Sequence, residues 1–281
     1  MILNVLIILG RKMKYEIHGH KPVQPFIESR THFVRYPIPV WHPMHGHVWE
    51  FYQYEVPGHQ AEDIFVVPDA CADILFCYDS KGLTSFIVGG PYSMSANRYY
   101  EKTTIFGIRF VTGYEFSVCE VPVHRYSFEH MVCRDINSKF RELDARMEEL
   151  TGFEERVSLC EKELCSFLMP DDEVPLLVHF AVTAIINNDG NLQISRIADQ
   201  SGYSERYIEQ QFLKYIGIGP KTLSEIIRFQ NSLRQLLTNP SGRLSDVAWD
   251  TGYYDLAHMN KSYKKMTSSL PRDVTKLFNS C

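Results

Sequence analysis

The chain lacks any apolar run long enough to span a bilayer. Its most apolar stretch, residues 1–10, is about half of the ~20 residues a spanning helix needs, and Arg11 and Lys12 follow it, whereas a secretory leader carries its basic residues first. Two readings of this stretch stay open: an added edge strand, or an upstream extension with the working start at Met13. An N-terminal peptide beginning at Met1 in native protein would rule out the later start. The seven cysteines, Cys71, Cys77, Cys119, Cys133, Cys160, Cys165 and Cys281, include no Cys-x-x-Cys pair and no metal-finger spacing. Such an odd, scattered set argues against a disulfide framework and fits a reducing, cytoplasmic setting. Cys160 and Cys165 fall where the pattern is helical and read as small apolar packing residues. No phosphate-binding loop and no nucleophile–base pair is visible either, so an enzyme reading would depend on one histidine cluster, His42, His45 and His47, and no cofactor is expected.

Overall positive charge is missing as well, since 29 Lys and Arg meet 34 Asp and Glu for a net −5. Divided along the chain, the balance changes sign. Residues 175–281 carry 12 Lys and Arg against 9 Asp and Glu, net +3, and residues 1–174 carry 17 against 25, net −8. A positive C-terminal part beside an acidic remainder suits a protein that holds nucleic acid at one end only. At 281 residues, with 44% apolar and 22% charged composition, the chain has the length and make-up of two or three soluble domains.

The positive part contains one short pattern written twice. Ile194-Ser-Arg-Ile-Ala-Asp-Gln-Ser-Gly-Tyr-Ser204 returns as Leu244-Ser-Asp-Val-Ala-Trp-Asp-Thr-Gly-Tyr-Tyr254. Ile194, Ile197 and Ala198, and in the second copy Leu244, Val247 and Ala248, have the i, i+3, i+4 spacing of one buried helix face. Gly202 and Gly252 stand where the helix stops and the chain turns with positive φ. Ser204 and Asp255 are placed as N-caps of a second helix. In those second helices Ile208 and Phe212, like Met259 and Tyr263, recur at i and i+4 and face inward. Arg206, Glu209 and Gln210 are left outside in one copy, and Leu256, Ala257, His258 and Lys261 in the other. A helix pair with an exposed polar second helix is the helix-turn-helix, whose second helix fits a DNA major groove. Between the copies, residues 220–237 read as one long helix with Pro220 near its first position, a stiff spacer that could set two probes about 34 Å apart for successive grooves.

These residues resemble the DNA-binding domain of AraC-type transcription regulators. The likeness rests on the doubled unit, on Gly-Tyr opening each turn, and on a second helix ending in an aromatic, a lysine and then Pro220 or Pro271. Met259 and Tyr263 stand where the family often has Phe, and Thr267 where it often has Gly. The resemblance implies a bacterial, sequence-specific DNA-binding regulator. Base-edge contact then falls to Arg206, Glu209, Gln210, His258 and Lys261, because these are exposed hydrogen-bonding positions: Arg suits guanine, Gln adenine and Glu cytosine. Phosphate contact falls to Ser204, Lys214, Arg243, Lys264 and Lys265, which set register without reading sequence.

Upstream, short β-rich runs at 49–56, 64–67, 74–78, 84–88 and 104–110 are separated by turn signals at Pro57-Gly58, Pro68-Asp69, 79–82 and 89–91. They predict a small antiparallel barrel or sandwich, its aromatics mostly core, with room in such a fold for one small ligand. Pro68-Asp69, Asp73 and Gly89-Gly-Pro91 resemble the cupin-like sensor domain ahead of the helix-turn-helix pair in one branch of the same family, which implies a small-molecule effector. The predicted fold class is thus α+β, divided into a β-rich domain at 13–134, a helical linker at 135–174 and an all-α double helix-turn-helix domain at 175–281.

Two features keep other readings alive. His42, His45 and His47, with Glu50 close by, have metal-ligand chemistry, and alternate histidines on a strand share one side. A metal-dependent cupin enzyme with a DNA-binding appendage is therefore a rival, working through His45 and His47; Pro43 and Gly46 speak instead for a solvent-facing loop. The second feature is the helical pattern at 135–168, with Phe140, Leu143, Met147, Val157, Leu159 and Leu164 apolar and a break at Thr151-Gly152. Helices after a β domain either cover it or meet a second subunit in a homodimer, and the pattern leaves both open. Residues 169–175, acidic between two prolines, read as a linker. A scaffolding protein that binds DNA without a ligand is a third reading.

Overall fold

Each β-rich run of the sequence overlaps a strand in the computed structural model, which describes residues 22–58, 62–90, 92–99, 101–112, 131–136, 138–167 and 175–279. One helical turn, α1 (Pro25–Glu28), precedes β1 (Thr31–Pro37), β2 (Val48–Val56), β3 (Glu62–Val66), β4 (Asp73–Asp79), β5 (Gly82–Val88), β6 (Ser95–Tyr99), β7 (Thr103–Phe110) and β8 (Met131–Val132). The helices that follow are α2 (Ser138–Glu148), α3 (Phe153–Phe167), α4 (Leu176–Asn187), α5 (Ile194–Ser201), α6 (Glu205–Tyr215), α7 (Pro220–Thr238), α8 (Leu244–Asp250), α9 (Leu256–Thr267) and α10 (Pro271–Asn279). Residues 1–21, the candidate start at Met13, Cys119, the side chain of Cys165, Cys281 and most of the acidic linker lie outside the described residues.

Six strands form one antiparallel sheet in the order β1-β2-β7-β4-β5-β8, and β3 pairs with β6 in a separate ribbon. The central strands bury both faces, because each face meets a different layer. Phe51, Phe76 and Phe106 share a core with Phe140, Leu143, Met147, Cys160 and Leu164, so the helices α2 and α3 cover one face. Tyr52, Tyr54, Leu75 and Ile105 pack on the other face against Ile64 of the ribbon. Burying a Phe, Leu or Met side chain is worth about 1.5–3 kcal/mol, so this cover spends the apolar stripe of α2 on its own domain. Cys160 packs there with no solvent exposure, as its helical position predicts.

The sheet's register places one charge row across three neighbouring strands. Glu50 of β2 and Asp73 of β4 both pair with Arg109 of β7, which is buried. Arg109 donates to Asp73 from Nε at 3.1 Å and Nη2 at 2.9 Å, and to Glu50 from Nη1 at 3.4 Å, while Tyr52 donates its hydroxyl to Asp73 at 2.6 Å. Asp69, 3.8 Å from the same guanidinium, also accepts from Cys71 N–H and Gln24 Nε2. Burial alone would lower the Arg109 pKa; Asp73, Tyr52, Asp69 and Glu50 outweigh it and push it well up. Burial pushes Asp69 up to about 6 despite Arg109, and raises Glu50 for the same reason.

Candidate nucleic-acid interface

In the first unit α5 ends at Gly202, φ 77°, and Ser204 caps α6 by accepting the Tyr207 N–H at 3.2 Å. The second unit repeats the device: Gly252 turns at φ 81°, and Asp255 caps α9 by accepting the His258 N–H at 2.7 Å. Each cap satisfies one of the N–H groups a helix start leaves without a partner. Ile208 and Phe212, and Met259 and Tyr263, are fully buried on the inner faces. Tyr263 sets its hydroxyl 3.0 Å from Ser232 and its ring edge-on to Phe229. Thr267 is buried and donates its hydroxyl to the carbonyl four residues back, that of Tyr263, and the left-handed turn follows at Ser268 with φ 58°.

The outer faces carry the residues singled out from the sequence. Arg206, Glu209 and Gln210 are exposed on α6, and His258 and Lys261 on α9. Their surroundings differ. The Glu209 carboxylate lies so close to Gly219, the residue before α7, that a Cβ there would overlap it, which turns this side chain toward the spacer. The His258 Nδ1 accepts the Tyr254 N–H at 3.3 Å, and since an amide can only donate, the neutral ring carries its proton on Nε2. Among the cations, Lys214 lies 4.7 Å from the Tyr215 ring, Lys264 and Arg243 are exposed, and Lys265 donates to Glu225 at 2.6 Å. Ser204 is committed through its side chain to the cap.

Tyr207 and Tyr254 escaped the reading of the sequence. Tyr207 holds the same third helical position as His258, and both brace on the tyrosine after the turn glycine: Tyr207 stacks on Tyr203 at 5.1 Å, and His258 stands edge-on to Tyr253 at 5.3 Å. Tyr254, the extra residue of the second turn, is 86% exposed. The signal available was alignment on the caps rather than on the glycines, which pairs Tyr207 with His258.

The spacer α7 is 19 residues long, about 28 Å at the α-helical rise. Arg228, near its middle, ties the units together by donating to Asn191 Oδ1 at 2.9 Å and the Gly190 carbonyl at 2.8 Å, with its guanidinium 5.7 Å from the Tyr253 ring. Asn191, just before the first unit, lies where a Cβ on Gly252 of the second would have to be. The two units therefore touch through that contact as well as through the spacer.

The histidine cluster disperses. His42, His45 and His47 lie in a turn before β2 rather than on a strand, because Pro43 and Gly46, φ 85°, break the extended path. His42 Nε2 lies 3.1 Å from Glu161 of α3, and Glu50 is engaged by Arg35 and Arg109. Among the described residues no three His, Cys, Asp or Glu side chains gather at metal-binding range, and no helix is long and apolar enough to cross a membrane.

Residues 197–276 match a family model described as a helix-turn-helix domain. No curated protein matches the sequence. Solved structures of ToxT from Vibrio cholerae match the chain at low identity: one crystal form at 11% identity and TM-score 0.40, covering 81% of this chain and 97% of that one, another from strain O395 at 10% and 0.42, covering 82% and 98%, and one with bound unsaturated fatty acid at 11% and 0.37, covering 84% and 97%.

Proposed function

We propose, from the AraC-type helix-turn-helix domain that the chain carries, that it is a sequence-specific transcription regulator whose β domain answers a small-molecule effector. The observation that carries the reading is the pair α6 and α9: two capped helices with polar outer faces, tied to one stiff spacer by Arg228. Such helices address base edges with Arg206, Gln210, His258 and Lys261 and the backbone with Lys214, Arg243 and Lys264. The protein works on DNA in the cytoplasm and transforms no substrate. Selection from random duplexes with the full chain tests this. A recovered motif with two separable halves supports it, whereas equal binding to all duplexes would leave only a non-specific DNA protein.

Control by the β domain is supported by shared packing. Phe26 of α1 and Val67 and Ala70 of the segment between β3 and β4 belong to the same apolar cluster as the helices of the DNA-binding domain, so a shift of these segments meets those helices directly. A ligand acts here only through different affinities for DNA-competent and DNA-incompetent states. Screening metabolites by thermal shift and repeating DNA binding with each hit tests that part: a ligand that stabilises the protein and leaves DNA affinity unchanged counts against it.

A further inference from the structure

Three contacts among the described residues join the β domain to the spacer, to α10 and to the end of α9. Gln230 of α7, fully buried, accepts the Val23 N–H at 2.7 Å and donates to the Pro68 carbonyl at 2.6 Å and the Val23 carbonyl at 3.3 Å. Phe26 of α1 meets Phe278 of α10 at 4.2 Å. Met94, one residue before β6, donates its N–H to the Met266 carbonyl at 2.6 Å.

The last contact differs from the others in kind. Met266 lies in the final turn of α9, and the last four carbonyls of a helix have no donor within it. A residue of the β domain thus supplies the donor for a carbonyl at the end of the second helix-turn-helix's outer helix, at a residue that is itself buried. The seat is mixed: on opening, Gln230 and the backbone groups it holds can take water in place of their partners, while Phe26 and Phe278 would lose apolar cover. Its neighbour Gln24 carries the connection inward, donating from Nε2 to Asp69 and the Val67 carbonyl, both at 2.7 Å, and Asp69 belongs to the Arg109 charge row.

We propose that the β domain governs the second unit by capping α9 from outside: seated, it completes the last turn of that helix, and displaced, it releases that turn while α6 keeps its order. This rests on the reading of α9 as a DNA-facing helix, and it names the half of the operator through which an effector acts.

Hydrogen exchange on the full chain decides it. Met94→Pro removes the donor, Met94→Ala keeps it, and Gln230→Ala loosens the seat without touching β6. The expected result is exchange about tenfold faster at residues 264–268 in Met94→Pro and in Gln230→Ala, with α6 unchanged and Met94→Ala near the parent. Footprints on a selected duplex should then lose protection over one half only. Unchanged exchange in both Met94→Pro and Gln230→Ala, or equal acceleration in α6 and α9, would overturn the proposal. Variants that show the α9-specific change while the parent selects no duplex would support the capping and sink the DNA reading instead.

Discussion

Arg109 and Asp73 face each other on neighbouring strands with two guanidinium hydrogen bonds, 3.1 and 2.9 Å, on one carboxylate, while Glu50 flanks the same guanidinium from the opposite strand. Arg109 is buried and Asp73 only slightly exposed, so the guanidinium has almost no water to fall back on if the carboxylate is lost. Arg109→Leu should destabilise the protein by about 3–5 kcal/mol, the range for breaking a buried pair and stranding its partner. Arg109→Lys should recover little, because an ammonium cannot hold Asp73 with two parallel bonds. Urea denaturation of both variants measures this.

The stability should depend on pH through Asp69. Its folded carboxyl is raised from 3.8 to about 6 by burial, so the folded state takes up a proton before the unfolded chain does. That residue's contribution is fully present below the unfolded value, shrinks as pH rises and is lost above about 6. It is on the order of 2–3 kcal/mol, with Glu50 shifted in the same direction. Asp69→Asn should flatten the melting-temperature profile between pH 4 and about 6.

The two turn glycines should respond unequally to alanine. Both hold left-handed backbone, which costs a side chain about 1–2 kcal/mol. Around Gly202 a Cβ meets nothing within 4 Å, whereas at Gly252 it overlaps the Asn191 side chain. Gly252→Ala should therefore lose more stability than Gly202→Ala in thermal unfolding, and in an Asn191→Ala background the two should cost about the same.

Cations on the outer faces should separate by their partners. Lys264 is exposed, whereas Lys265 already holds Glu225. Lys264→Ala should reduce the slope of log affinity against log salt by about 0.9, the share of one phosphate contact, and Lys265→Ala by less. Arg206→Ala should instead cost about 1–3 kcal/mol on the selected duplex and relax one base position. Equal losses on selected and scrambled DNA would take Arg206 out of the base-reading set.

His258 should show the Nε2–H tautomer in long-range proton–nitrogen spectra, since its Nδ1 accepts the Tyr254 N–H. A histidine so held offers DNA a donor alone. His258→Gln, which can place an amide donor near the same point, should preserve the selected sequence better than His258→Asn does. Equal selectivity in both would remove His258 from the readers.

The C-terminal half was legible because its signals are local. Helix period, turn glycine and cap lie within a dozen residues of one another, and the duplication states each twice. What escaped depends on distant partners. β6, Ser95–Tyr99, is polar and mostly exposed, and is held by pairing with β3 rather than by an apolar stripe of its own. Pro271 marks a stop when read from α9, yet it is also the first residue of α10. The histidine turn is open in the sequence to both a strand and a loop reading, and Pro43 and Gly46, local signals again, carry the loop. The Arg109 row could not be seen at all, since it assembles only once three strands find their register.

The locked position of α7 bears on how such a protein could change its target. Each residue inserted into that helix would swing the downstream reader by about 100° and advance it about 1.5 Å, so single insertions throw it onto the wrong side of the duplex. Arg228 and the Asn191–Gly252 contact would have to be rebuilt as well. New operators should therefore arise by exchanging side chains on α6 and α9 at constant separation, and the gap between half-sites should be the slowest feature to drift.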